Sequence, residues 1–229
     1  ALMHAHLRSN DRLAILGELT AGIAHELNTP LGNVLGYAEL LKENEIAPER
    51  KSDLQRIIDS ALIGREIVKK LMYFSCEMPA QFQPTDVEQA IRGTVRLIDR
   101  RLQERDVQIT WDLTQDLPEL RLDTVQFAQV ITNIILNAVG AMPSGGRITI
   151  ASREHDGKVE ITITDTGIGI TEENLKRVFQ PFFTTKAVGE GTGLGLAVVH
   201  GIMKAHQGDV TVSSEIGVGT TFTLTFPMP

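Results

Sequence analysis

The chain of 229 residues is 42% apolar, 22% charged and 5% aromatic, too apolar for a disordered segment and long enough for one or two domains. Its 22 Lys and Arg against 29 Asp and Glu leave a net charge of −7, which disfavours a general nucleic-acid or anionic-membrane binder. One cysteine, Cys76, excludes an intrachain disulfide framework and a cysteine-rich metal site. No apolar run approaches the ~20 residues that cross a bilayer, and no secretory signal is visible. Ala1-Leu2-Met3 already reads as helix, so the expectation is a cytoplasmic fragment of a longer protein.

From Asp11 to about Cys76 two long helices are predicted. Leu13, Leu16, Thr20, Ile23, Leu27, Val34, Ala38 and Leu41 recur at steps of three and four, the seam of a helix bundle. Asn44 to Glu49, with Pro48, interrupts the pattern, and Ser52 is a candidate cap for the second helix. Leu54, Ile57, Ala61, Val68 and Leu71 resume the rhythm. Two helices alone expose too much apolar seam, so a homodimer closing a four-helix bundle is expected, with a monomeric hairpin packed against the second domain as the alternative.

Met78-Pro79-Ala80-Gln81 marks the expected boundary between a helical domain, 1–79, and a second domain, 80–229, with 78–84 as a candidate hinge. Beyond it a helix is predicted from Asp86 to about Arg105, a strand over Val107–Trp111, a helix over Thr124–Met142 and a strand over Ile148–Ile150. Asp156-Gly157 turns into a strand over Val159–Thr164. A glycine-rich stretch, a helix from about Thr192 to His206 and strands over Val210–Val212 and Thr221–Phe226 complete the pattern, which favours one mixed sheet with helices packed on it. Residues up to 80 carry 9 basic and 11 acidic side chains, the rest 13 and 18. A polyanion bound to the second domain must therefore be held by backbone amides and a metal rather than by a basic surface.

His25 lies about 200° round a helix from both Ile23 and Leu27, so it points away from the seam. Its helical neighbours Ala21, Gly22, Asn28, Thr29 and Gly32 are small or polar and leave the imidazole open. Neutral imidazole is a nucleophile at physiological pH, and Glu26 beside it is a candidate base. A solvated surface histidine is the plainer alternative. Pro30 removes a helical hydrogen bond, so a bend is expected just past His25.

Asp165-Thr166-Gly167-Ile168-Gly169 follows a strand directly. Glycines let the backbone approach a flat ligand, and Asp165 can accept from an exocyclic amine; a tight turn with a capping Asp explains the same residues. Gly191-Thr192-Gly193-Leu194-Gly195 opens the last long helix, where free amides suit a phosphate group. It is neither a P-loop nor a Rossmann fingerprint. Between the loops, Phe179-Gln180-Pro181-Phe182-Phe183 offers aromatic anchors before a segment expected to act as a lid that carries Lys186; ordinary core phenylalanines and a solvated surface lysine are the plainer alternative. Asn133 and Asn137, four apart on an apolar helix, share one face, and amide oxygens are hard ligands suited to Mg²⁺; capping and core hydrogen bonds are the plainer alternative.

In this order the stretches resemble the transmitter region of sensor histidine kinases. Leu19 to Leu31 is similar to the H box, Asn133 to Ala138 to the N box, Asp165 to Gly169 and Gly191 to Leu196 to the two glycine boxes, and Phe179 to Phe183 to the F box. The resemblance implies a dimeric helical hairpin joined to an α/β sandwich shared with gyrase-type ATPases. It further implies that His25 takes the γ-phosphoryl of ATP with Glu26 as base, then yields it to an aspartate of a response regulator. Asn137 and Asn133 would hold Mg²⁺; Asp165 would recognise adenine, with Thr221 through water. Gly167 and Gly169 would permit that approach, Gly191, Thr192, Gly193, Leu194 and Gly195 would cradle phosphates, and Lys186 would meet the terminal phosphate. Glu26 and Thr29 fit the family's pattern for dephosphorylating a response regulator. Gly140 departs from the basic residue many members place after the N box, and Ala138 to Met142 resembles the nitrogen-regulator-like subgroup. A gyrase-type ATPase is the alternative, but such enzymes carry a glutamate where this chain has Asn133, and an amide cannot act as base. Neither nucleic acid nor membrane contact is expected for these residues, although the full-length protein is compatible with a membrane tether.

Overall fold

The computed structural model describes residues 27–43, 45, 47–75, 80–115, 117–186 and 192–228. It divides into two compact units between Met78 and Pro79. His25, Glu26, Gly191 and the seam positions Leu13, Leu16, Thr20 and Ile23 lie outside the described residues.

In the first unit, helix α1 (27–43) is followed by α2 (Pro48–Ser75). The second helix starts before the expected cap at Ser52. Pro48 opens it, a position where a missing N–H costs nothing, and the Glu45 carboxylate accepts from the Ala47 N–H at 2.9 Å. Leu35, Ala38, Ile58 and Ala61 form a small core with Leu54 against it. Leu27, Val34 and Leu41, spaced seven apart on α1, stay exposed at 43%, 46% and 62%, as does Ile57 on α2. One hairpin therefore buries part of the expected seam and leaves another apolar stripe outside.

The second unit is built on a five-stranded sheet of β2 (Val107–Leu113), β4 (Gly146–His155), β5 (Lys158–Asp165), β7 (Gly219–Pro227) and β6 (Asp209–Glu215), adjacent in that order. Only β2–β4 is parallel. Asp156 and Gly157 both adopt positive φ, 50° and 70°, the twist-matched turn that joins β4 to β5. Strand alternation sends Ile148, Ile150, Ile161, Ile163, Phe222 and Leu224 to one face, where they share a core with Ile91, Ile131, Ile135 and Val199. Those last four belong to α3 (Val87–Gln103), α4 (Thr124–Ala141) and α6 (Gly195–Ala205). Helix α4 is long and apolar enough to cross a bilayer, yet Phe127, Val130, Ile131, Ile134, Ile135 and Ala138 bury its apolar surface inside this unit. On the opposite face of the sheet Thr110, Thr149, Thr164, Thr221 and Ser213 align across all five strands.

Three short elements were not legible in the pattern: α5 (Glu172–Leu175) and the antiparallel pair β1 (Gln83–Thr85) with β3 (Leu120–Leu122). The pair corrects the expected hinge. The Gln81 N–H donates to Asp123 Oδ2 at 2.9 Å, Phe82 packs edge-on to His206 at 5.0 Å, and residues 83–85 are hydrogen-bonded into a sheet. Residues 81–84 are thus anchored to the second unit.

Candidate functional site

The end of β5 delivers Asp165 into the core side of the sheet with 4% of its surface exposed. The Gly167 N–H donates to Oδ1 at 2.8 Å and the Thr220 N–H to the same oxygen at 3.3 Å. Among the described residues no donor is bonded to Oδ2. Burial raises the carboxyl above its ordinary range, and the two N–H bonds pull it back only in part. Gly167 is required here by space: a Cβ on it would lie 2.8 Å from the Ala141 side chain, the Ala141 carbonyl and Asp165 Oδ1. Gly169 adopts φ 75°, and a side chain there would run into the Glu215 carbonyl. The loop is stitched in place by the Ile168 N–H to the Ala141 carbonyl at 3.1 Å and the Ile170 N–H to Ser214 Oγ at 2.8 Å.

Along α4, Asn133 and Asn137 are half-buried one turn apart on the same face. Asn133 Nδ2 donates to the Gly195 carbonyl at 3.3 Å, which ties α4 to the start of α6 and leaves the amide oxygen as an acceptor. Asn137 has no hydrogen-bond partner among the described residues. Helix α6 begins at Gly195, later than the expected Thr192, and its N-cap residue Leu194 makes no side-chain cap. Its first N–H groups are therefore available to an anion. Leu194 itself is fully buried and anchors the turn. Gly193, at φ 66°, passes so close to the Phe182 backbone that no side chain fits between them. A carboxylate acceptor at the end of β5, an amide pair along α4 and an uncapped start of α6 are features suited to a base-plus-phosphate ligand.

Residues 15–77 match the His Kinase A (phospho-acceptor) domain, and residues 122–229 match the histidine kinase-, DNA gyrase B- and HSP90-like ATPase family. The chain belongs to the histidine kinases. Sensor histidine kinase ZraS of Escherichia coli strain K12 is 34% identical over 229 residues, covering 99% of this chain and 49% of ZraS. The chain spans half or less of the length of the curated relatives it matches. A full-length ShkA structure in complex with AMPPNP aligns at a TM-score of 0.78 and 28% identity, over 92% of this chain and 45% of that one. Histidine kinase ThkA in complex with response regulator protein TrrA aligns at 0.70 and 26% identity, over 96% of this chain and 64% of that one.

Within this transmitter region the end of α4 meets the loop after β5, through Ala141 against Gly167 and Ile168, and Asn133 ties α4 to the start of α6 at Gly195, with Thr192 and Gly193 leading into that helix. Thr29 sits on the first described turn of α1 and is exposed. Lys186 is exposed, with its N–H donating to Thr184 Oγ1 at 3.1 Å. Of the aromatic anchors, Phe179 packs against the core and the His200 ring, whereas Phe182 is exposed. Thr221 is not brought to Asp165. It is paired with Thr164, and their hydroxyls meet at 2.9 Å on the opposite face of the sheet. Its neighbour Thr220 is the residue paired with Asp165, buried, with its hydroxyl 2.9 Å from Ser214 Oγ. Two adjacent threonines gave the sequence no means of choosing; only strand register decides which one faces the carboxylate.

Proposed function

We propose that this transmitter region autophosphorylates His25 from Mg·ATP and passes the phosphoryl group to an aspartate of a response regulator. The observation that carries this reading is the joining, in one chain, of a phospho-acceptor domain containing His25 to a domain whose buried Asp165 keeps one oxygen open and whose α4 presents Asn133 and Asn137 on one face. Asp165 Oδ2 accepts from the adenine amine, and Thr220, rather than Thr221, supports it from the neighbouring strand. Residues 191–195 present amides to the phosphates, and Lys186 meets the terminal one.

Asn137, with the Asn133 oxygen beside it, fits a Mg²⁺ ion that is otherwise held by phosphates and water. When bound, the ion would neutralise charge on the transferring phosphoryl group. The unprotonated imidazole nitrogen of His25 attacks the γ-phosphorus while the proton on the other ring nitrogen moves toward Glu26; the bond from the γ-phosphorus to the β–γ bridging oxygen breaks and ADP leaves. A carboxylate oxygen of the regulator then attacks the same phosphorus and the N–P bond breaks, giving an acyl phosphate. The response regulator in the ThkA complex supports this partner. Glu26 and Thr29, the latter four residues along the chain from His25, are assigned to the reverse duty of orienting water toward the phosphoaspartate.

We assign residues 1–79 to dimerisation and phosphoryl acceptance and residues 80–229 to nucleotide binding. The exposed stripe of Leu27, Val34, Leu41 and Ile57 supports a homodimer that completes a four-helix bundle. The region acts in the cytoplasm without contacting membrane or nucleic acid, in a longer protein that a membrane segment can tether. Ala138 to Met142 supports the nitrogen-regulator-like subgroup.

Incubation with Mg²⁺ and γ-labelled ATP tests the reading, with His25→Ala as the control. Acid-labile, alkali-stable label that disappears in the variant is the expected result. Label that survives His25→Ala overturns the acceptor assignment, and phosphate release without any label means a gyrase-type hydrolase instead.

A further inference from the structure

Gly140 is the penultimate residue of α4, and it is an open notch filled by another part of the chain. A Cβ built on it would lie 2.6 Å from Lys186 Nζ and 3.4 Å from its Cε, so the lysine occupies the place a side chain would take. The backbone leading to that lysine is shaped locally by the Thr184 hydroxyl and by Phe183, whose ring is stacked under the Arg177 guanidinium at 4.4 Å. Three further facts bear on what the ammonium does there. Asn137 is three residues before Gly140 and shares its side of the helix. The Ala141 carbonyl holds the loop that follows Asp165. No basic residue of α4 itself lies in its last turn, and Lys186 is in no ion pair among the described residues.

We infer that Gly140 is a positioning residue: its missing side chain berths the Lys186 ammonium against the end of α4, beside Asn137, and thereby sets the cation that distinguishes a nucleoside triphosphate from a diphosphate. This rests on the nucleotide reading above and adds to it a determinant of phosphate-chain length. Without Gly140 the lysine remains on the chain but loses its seat, and a flexible exposed ammonium must then be ordered by the ligand at an entropic cost. Even one methyl at this position overlaps Nζ, so the ammonium must move from where it now lies. The competing account is that Lys186 merely complements the carbonyl end of α4. That account predicts a change in stability and none in nucleotide preference.

Gly140→Ala separates the two. Alanine is the better helix former, and the overlapping group is the far end of a flexible side chain, so the fold tolerates it and melts at the wild-type temperature or above. Calorimetric titration of the whole chain with Mg·ATP and with Mg·ADP reads the ratio of affinities. The expected result is a ratio about tenfold lower for Gly140→Ala, a similar drop for Lys186→Ala, and no further drop in the double variant, because both changes remove one interaction. A wild-type ratio in Gly140→Ala alongside a reduced one in Lys186→Ala overturns the inference while leaving the nucleotide reading intact, as do additive losses in the double variant. Failure of the wild-type chain to bind either nucleotide overturns both.

Discussion

Two buried aspartates in the second unit have opposite fates. Asp165 and Asp123 are 4% and 9% exposed, and each accepts backbone N–H bonds where a strand ends. Asp123 uses both oxygens: Val125 and Gln126 donate to Oδ1 at 3.0 Å and Gln81 to Oδ2 at 2.9 Å. Burial alone would raise its carboxyl, but these three bonds and the nearby His206 outweigh it and leave it below the ordinary range. Asp165 spends both of its bonds on one oxygen, burial wins, and its carboxyl is raised. A buried carboxylate with both oxygens engaged is a fastener. One with an oxygen left open is a candidate site, held at some expense of stability.

The contrast is broken most sharply at Asp165. Asp165→Asn keeps the shape but turns the acceptor proposed for the adenine amine into a donor, and nucleotide affinity is expected to fall about a hundredfold by titration. Stability should move the other way. A raised folded-state value means that the contribution is present at low pH and lost as pH rises through it, so the variant should melt at or above the wild-type temperature at about pH 8. Asp123→Ala is the converse: a loss of about 2 kcal/mol in denaturant unfolding, from a helix cap and the Gln81 tether together, with nucleotide affinity unchanged. Asp123 has a lowered folded-state value, so its contribution is present above the ordinary carboxylate range and lost as pH falls through the folded value; the variant's stability profile should be flatter across that acid window.

Smaller effects sharpen the assignment of faces. Thr220→Val keeps the backbone N–H to Asp165 but loses the hydroxyl beside Ser214; stability should fall by about 1 kcal/mol and nucleotide affinity by several-fold, roughly the worth of one hydrogen bond. Thr221→Val removes only the hydroxyl pair with Thr164 on the opposite face, and should cost about 0.5 kcal/mol of stability with titration indistinguishable from wild type. Equal nucleotide effects at the two positions would discard the register argument.

The long elements were legible because their periods are strong. Val159 to Thr164 alternates strictly, and the Val130–Ala138 run is too apolar to be anything but a core element; both appear as expected. Asp156-Gly157 announced its hairpin through the residue types that tolerate positive φ. Residues 83–85 and 120–122 were invisible for the opposite reason: three-residue strands, one with Pro84, carry no period and exist only because each finds the other. Ser52 does not cap α2 because Pro48 and Glu45 offer an earlier start, and local rules rank such competitors poorly.

Chemistry-bearing residues in a recurring order, His25, Asn133, Asn137, Asp165 and the glycines around it, were written into the chain itself, since residue type and spacing along an element are properties of sequence. Which oxygen of Asp165 stays open, which of two adjacent threonines stands beside it, and which distant lysine fills the notch at Gly140 were decided only on folding. Thr220 and Asp165 stand 55 positions apart in the chain, and Lys186 is nearly as far from Gly140. Such contacts are set by strand register and helix packing, and no local pattern along the chain encodes them.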